Sequence, residues 1–416
     1  MGTHSRRRER GGKSLIVIVL AVVAVAGLAS IVRALNSTSP VGASSLHQPG
    51  NHNKATGTSP PPAARPSPPA PLTVTAATPA EGATGVNGTG SVVFRTSAAV
   101  DLSTVAARMS PAVPGRWSAS PSELVFTPDG AFPPSASVTI TLPAGLRDVA
   151  GGISAHPVTA SFTTASGSIL RLQQLLAQLG YLPVAWTQAA VPARHLLHLP
   201  PARPRLVPGS PAQGTALAER AVYDPPAGSF SWRWASPPPS LQARWSPGAY
   251  TVIVKGAVMA FEADHNLSVD GIAGPVVWHE LLAVTEAGSP DPSPRGYTYA
   301  LASKSLPETL TVWHNGTVVA SSRANTGIPV APTADGTFPV YERLATQIMR
   351  GTNPDGSKYA DPVAWVAYFN GGDAVHYIAR AAYGFPQSLG CVEVPYQVGK
   401  TIWPYLTIGT LVTVAS

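Results

Sequence analysis

The sequence predicts a multidomain, mainly-β chain: an N-terminal transmembrane helix and a spacer, then a β-sandwich, a small helical module with an insertion, and a C-terminal mostly-β domain. Length is the first reason, because 416 residues exceed what one ordinary core accommodates. The second is composition, since 44 prolines and 38 glycines with only 12% charged residues favour turns and short strands over long charged helices. The third is patterning: apolar residues alternate at period 2, switch to helical spacing, and return to period 2 towards the end.

At the N-terminus, residues 1–13 form a short basic tail and residues 14–35 an apolar segment. Ser14 to Ile31 contains no charge and is nearly all Leu, Ile, Val, Ala and Gly, close to the minimum for crossing a bilayer core. Arg6, Arg7, Arg8, Arg10 and Lys13 precede it, so the positive-inside bias puts the N-terminus in the cytoplasm and the rest of the chain outside. Ala24-Val25-Ala26 resembles a signal-peptide cleavage site, the alternative to a single-pass anchor. Either reading places the bulk of the chain in the cell envelope, on the far side of the cell membrane. The formal charge of +7 belongs largely to this tail: beyond Arg33, 22 basic residues face 20 acidic ones. A nucleic-acid partner would need a basic face, and none is predicted.

Residues 36–71 are Ser, Pro, Gly, Ala, Thr and Asn with almost nothing to bury, including Pro60-Pro61-Pro62. Such a stretch cannot repay the entropy of folding and reads as an extended spacer. From 72 to 165 the character changes. Alternating runs at Ser91 to Arg95, Glu123 to Thr127, Ser137 to Leu142 and Thr159 to Thr163, separated by Pro, Gly and Asp, predict an antiparallel β-sandwich. Pro79-Ala80-Glu81-Gly82-Ala83 and Leu146-Arg147-Asp148-Val149-Ala150-Gly151 resemble segments of bacterial Ig-like domains. Asp101, Asp129 and Asp148 read as turn residues, not metal ligands.

Residues 166–286 read as a helical module. Leu172, Leu175, Leu176 and Leu179 occupy one helix face, and Gly180 can supply a left-handed cap. A second helix is predicted over Lys255 to His265, and a third from Pro275 with Trp278, Leu281 and Leu282 on one side. The loop Leu267 to Pro275 resembles the signature of peptidoglycan-binding three-helix domains, which lack the stretch at about 183–248. That insertion is Pro-rich and carries Trp232, Trp234 and Trp245, read chiefly as packing onto its host. His265, His279 and Asp264 lack the compact spacing of a metal site.

From 297 to 416 the pattern is again β. Asn315-Gly316 between two alternating runs is a strong hairpin signal, and strands are predicted at Val363 to Phe369, Val375 to Ile378 and Thr410 to Val414. This region holds Cys391, the one cysteine of the chain, which cannot form an intramolecular disulfide. An unpaired thiol outside the cytoplasm is a liability unless it has work to do. A thiol near pKa 8.5 is mostly protonated at neutral pH, so a nucleophilic role needs a base or cation beside it. No histidine or arginine lies among the 25 residues after Cys391, so the imidazole must come from upstream, from His376 or His314. That order excludes papain-like and NlpC/P60-like hydrolases and counts against sortases. His376 on a strand ending at Ile378, and the turn Ser388-Leu389-Gly390-Cys391 leading into Val392, could bring ring and thiol together. Gly390 allows the sharp turn from which N–H groups could converge on an oxyanion.

His376, an eleven-residue gap, then Ser388-x-Gly390-Cys391-Val392 resembles the signature of YkuD-type L,D-transpeptidase domains. Asn325-Thr326-Gly327, Thr333 to Phe338 and Tyr368-Phe369 add to the resemblance. The sequence departs from that pattern at Tyr377, usually Gly, at Leu389, usually His, and at Glu393, where Arg or Asn is common. The resemblance implies acyl transfer without metal or organic cofactor. Cys391 would attack the carbonyl between the third residue of a peptidoglycan stem peptide and its terminal D-Ala, with His376 handling the proton. A neighbouring stem's amine would then resolve the thioester into a 3→3 cross-link, or water would resolve it as in an L,D-carboxypeptidase. Ser388, Tyr368 and Tyr377 are candidate substrate contacts, and Gly390 and Leu389 belong to the oxyanion turn. A non-catalytic wall-binding protein is the alternative, which retention of both His376 and Cys391 disfavours.

Overall fold

A computed structural model describes residues 68–190, 211–288 and 295–416. The basic tail, the apolar segment 14–35 and nearly all of the spacer lie outside the described residues, within which no helix is long and apolar enough to cross a membrane.

The sandwich contains β1 (Val74–Thr78), β2 (Ala83–Val86), β3 (Val92–Thr96), β4 (Arg108–Ser110), β5 (Gly115–Ala119), β6 (Glu123–Pro128), β7 (Ser137–Leu142) and β8 (Val158–Thr164). They form two four-stranded sheets, ordered β1-β3-β6-β5 and β2-β8-β7-β4. Inward residues of both sheets, among them Phe94, Leu124, Phe126, Ile140 and Phe162, close one core. The four alternating runs of the sequence are β3, β6, β7 and β8; the other strands are short or carry few apolar residues. The aspartates serve turns: Asp101 caps Ser103, Asp148 accepts the N–H groups of Ala150 and Gly152, and Asp129 pairs with Arg116.

In the helical module, α1 (Ile169–Gln178) is capped by Ser168, and Gly180 takes φ +82° just past its end. The insertion contributes β9 (Val184–Gln188), α2 (Pro211–Ala221), β10 (Gly228–Trp232) and the short α3 (Pro239–Gln242), with β9 and β10 paired antiparallel. The module closes with α4 (Val252–Asp264) and α5 (Pro275–Glu286). Trp232 and Trp245 pack on the shared core. The insertion also reaches the sandwich: Arg220 donates to the carbonyls of Asp129 and Pro128, Tyr223 donates to Phe132, and Glu219 accepts the Ala131 N–H. His265 bonds Glu280 at 3.0 Å, while Asp264 pairs with Arg295 and accepts from Tyr181.

The C-terminal region has β11 (Thr298–Ser303), β12 (Thr309–His314), β13 (Thr317–Arg323), β14 (Gly336–Pro339), β15 (Glu342–Thr352), β16 (Lys358–Asn370), β17 (Asp373–Tyr377), β18 (Val392–Val394), α6 (Tyr396–Ile402) and β19 (Leu411–Ala415). Asn315 and Gly316 take φ +48° and +78°, as a tight hairpin between β12 and β13 requires. Two sheets, β13-β12-β11-β19-β14 and β15-β16-β17-β18, enclose a core of Val312, Val340, Phe369, Val375, Val392 and Val412 among others. The back of the first sheet joins the helical module, since Tyr299 and Leu411 belong to the same buried cluster as Ile253, Phe261 and Trp278. Trp234 packs there too, its ring 6.1 Å from that of Tyr297. The outer face of the second sheet carries the site.

Candidate active site

Strand pairing decides which side chains meet. β17 and β18 run parallel with Val375 opposite Val392, His376 opposite Glu393 and Tyr377 opposite Val394. Because side chains alternate across a strand, Val375, Val392 and Val394 enter the core between the sheets. One residue before the pairing begins, Cys391 stands beside Ala374, so thiol and imidazole share the outer face. Both line a cavity of about 770 Å³. The long β15–β16 hairpin walls it with Gln347, Met349, Arg350, Tyr359, Asp361 and Tyr368. No described residue of the insertion lines it.

The turn before the thiol is tightly built. Ser388 Oγ donates to the Cys391 carbonyl at 2.6 Å and accepts the Gly390 N–H at 3.2 Å, while the Ser388 N–H donates to Thr326. Gly390 takes φ +117°, and a Cβ there would sit 2.3 Å from an Asp373 oxygen. Glycine is therefore required on two counts, backbone conformation and room. The Gly390 N–H is engaged by Ser388, so it is not a free donor for an oxyanion. Ser388 shapes the loop from within, being 2% exposed, and lines the cavity together with Leu389. Segment 325–328 holds the turn from behind: Asn325 and Glu393 exchange backbone hydrogen bonds, and buried Glu308 accepts both the N–H and the hydroxyl of Thr326.

His376 is buried, and its Nδ1 lies 3.2 Å from the Tyr377 carbonyl, which can only accept. Nδ1 therefore carries the hydrogen and Nε2 keeps its lone pair for a proton. Burial holds the imidazole below its usual pKa, with the contact to the Tyr377 carbonyl opposing. The Cys391 thiol is pushed up to about 12, chiefly by burial, and the Asp373 and Glu393 carboxylates add to this while the Ala374 N–H opposes it. Its S–H donates to the Gly372 carbonyl at 3.7 Å. Both shifts favour the neutral thiol and the neutral imidazole in this arrangement.

The remaining candidates divide. Tyr368 lines the cavity beside Cys391, its hydroxyl donating to Gln347 at 2.6 Å. Tyr377 falls on the opposite face, 5.8 Å from the Trp365 ring and 5.2 Å from the Tyr396 ring, and takes no part in lining the cavity. Alternation along β17 puts it there, one residue from an outward His376. His314 does not line the cavity; it is bonded to Thr298, and its ring packs tilted against that of Tyr405. Sequence reading passed over Arg380 and Asp373, both of which line the cavity. Asp373 opens the His376 strand directly after Gly371-Gly372, and Arg380 follows that strand's end; their places next to the motif were the available signal.

Residues 298–414 match the L,D-transpeptidase catalytic domain family and residues 68–164 the bacterial Ig-like domain family. The C-terminal domain is an L,D-transpeptidase catalytic domain. An L,D-transpeptidase from Mycobacterium smegmatis aligns over 83% of this chain and 100% of its own at 14% identity, with a TM-score of 0.27. L,D-transpeptidase 3 from Mycobacterium tuberculosis, in complex with a faropenem-derived adduct, aligns over 82% and 98% at 13% identity, TM-score 0.27. An Enterococcus faecium L,D-transpeptidase aligns over 28% and 49% at 25% identity, TM-score 0.27. These scores are low, and the assignment rests on the family matches. No curated protein matches the chain. The chain thus carries a bacterial Ig-like domain ahead of an L,D-transpeptidase catalytic domain.

Proposed function

We propose that the enzyme forms 3→3 cross-links through a cysteinyl acyl-enzyme on stem tetrapeptides. The observation that carries this is the β17–β18 register, which sets Cys391 and His376 on one face in one cavity. As the sulfur attacks the carbonyl of the third stem residue, Nε2 of His376 takes the thiol proton, and the Cys391 N–H supports the oxyanion. Collapse breaks the C–N bond to D-Ala, whose amine leaves with the proton from the imidazolium, and a thioester remains. The side-chain amine of a second stem attacks the thioester, His376 receives its proton, and the thiol is regenerated. Water in the acceptor's place makes the same site an L,D-carboxypeptidase. No step calls for a metal or organic cofactor.

The apolar segment Ser14 to Ile31 and the basic tail before it support single-pass membrane anchoring, with the spacer giving reach into the wall. The signature-like loop Leu267 to Pro275 of the helical module supports a contribution to wall affinity, which raises the local concentration of stems without changing the chemistry.

The test is intact-mass analysis of the protein with a disaccharide tetrapeptide. The expected product is one adduct of the donor less D-Ala, mapping to Cys391 and absent from Cys391→Ala, with dimers containing a 3→3 bond once acceptor is added. An adduct elsewhere, or release of D-Ala by the Ala variant, would overturn the assignment.

A further inference from the structure

One ionised group in the cavity has no part in the proton transfers. Arg380 is half-buried on the cavity wall, and Glu393 grips one edge of its guanidinium: Nε donates to Oε2 at 2.9 Å and an Nη to Oε1 at 2.5 Å. Glu393 is 2% exposed and is held in turn by Asn325, whose Nδ2 donates to Oε2 at 3.2 Å. Asn325 is itself fixed, since its Oδ1 accepts the Gly384 N–H at 2.9 Å. A buried ion pair adds little net stability over an apolar pair of the same volume, so stability does not explain one on a cavity wall. What it does supply is direction. Two of five guanidinium N–H groups are committed to Glu393 along one edge, and those on the other edges of the plane are left for a ligand in the cavity that Arg380 lines.

We infer that Arg380, aimed by Glu393 and Asn325, is the group that reads a carboxylate on the donor peptide. Glu393 follows Cys391 by two residues on one strand direction, about 7 Å along the chain. The guanidinium therefore serves a carboxylate within about one residue of the carbonyl under attack. On a donor whose third residue is a diamino dicarboxylic acid, two groups meet that distance: that residue's side-chain carboxylate and the terminal carboxylate of D-Ala. Guanidinium suits either, because its planar fork matches a carboxylate's two oxygens. The other charged groups lining the cavity are Asp361 and Asp373, which repel an anion, and exposed Arg350 on the hairpin wall. Among the cavity's cations, only Arg380 is held in one orientation by a buried carboxylate.

The inference rests on the proposed acyl transfer, and the test separates the two. The full-length chain is given three tetrapeptide donors: the free acid, one amidated at the third-residue side chain, and one amidated at the C-terminus. D-Ala or D-Ala-amide release is followed. In the wild type, one amide is expected to lower kcat/KM about ten- to hundredfold, the worth of one charge-assisted hydrogen bond, and which amide does so identifies the carboxylate read. Arg380→Gln should bring the free acid down to the rate of that amide and leave the amide's own rate unchanged. Because Arg380→Gln strands a buried carboxylate, the double variant R380Q/E393Q, which buries no charge, is measured beside it and should show the same loss of discrimination. Equal rates on all three donors, or discrimination that survives in both variants, would overturn the role of Arg380 and leave acyl transfer at Cys391 standing. Failure of every donor to acylate the wild type would overturn both.

Discussion

The catalytic domain presents two unlike faces. Its back sheet meets the helical module in a packed seam, where Gly256 of α4 lies against the Gly409 backbone and Tyr299 and Leu411 join the module's core. Its front sheet keeps thiol, imidazole, carboxylates and a guanidinium around an open cavity. Glu262 of the module and Glu393 on the cavity wall are both buried, and the two are treated differently. Glu393 meets a cation and an amide. Glu262 in α4, which helps build the module on the seam side, meets only the N–H groups of Asp270 and Gly271 and has one oxygen without a partner among the described residues. Burial raises Glu262 to about 7. The contrast teaches that burial alone does not make a functional charge: the module's carboxylate is a clamp on a loop, while the cavity's carboxylate holds a cation facing open space. The seam also shows that the helical module completes the catalytic domain's packing, because removing it would expose Tyr299 and Leu411, whereas the sandwich touches the module through the insertion.

The largest effect should come from breaking the front face. His376→Ala is expected to slow acylation by about 10²- to 10⁴-fold at neutral pH while leaving the melting temperature close to wild type. Since the folded imidazole lies below its usual 6.5, the wild-type rate should be flat from pH 6.5 upwards and fall only as the ring gains its proton below that. The thiol, raised to about 12, should alkylate with iodoacetamide more slowly than free cysteine at pH 7.5 when no donor is present. Faster alkylation would show a preformed thiolate and refute the neutral resting pair.

Breaking the seam should do the reverse. A Cβ at Gly256 would sit 2.5 Å from the Gly409 carbonyl oxygen and 2.9 Å from a Leu411 methyl. Gly256→Val is therefore expected to cost about 1–3 kcal/mol by overpacking, read by chemical denaturation, with acylation of a soluble donor little changed below the transition. A large loss of acylation in protein that remains folded would show that the seam shapes the cavity.

The smallest expected effect sharpens the contrast between the two glutamates. With its folded pKa raised to about 7, Glu262 contributes stability that is complete below the ordinary value near 4.5 and is lost as pH rises through 7. Glu262→Gln should match the wild type near pH 4.5 and exceed it at pH 8 by on the order of 2 kcal/mol. Equal stability at both pH values would mean that the two backbone donors satisfy the ionised carboxylate.

Much of this was legible in the chain itself. The alternating runs at 123–127 and 137–142 became β6 and β7 almost residue for residue, because a half-buried strand must alternate. The helix from Pro275 began where a missing N–H costs nothing, and Asn315-Gly316 turned where two positive φ values were needed. Cys391 and His376 were singled out by the uniqueness of one and the elimination of the rivals of the other, and strand register sets both along one cavity. Tertiary structure decided the rest. The β15 strand, whose 11 residues alternate only weakly between half-buried and exposed, acquired its place by pairing with β16 in the hairpin that walls the cavity. Tyr377, next to the histidine in sequence, went to the far side of the sheet because a strand's side chains alternate. Arg380 and Glu393, thirteen residues apart with no periodicity between them, became an ion pair only when β17 and β18 ran side by side. A residue's type and its local spacing are written in the sequence, but which distant side chains share a face depends on strand register, and register is set by the packing of the whole domain.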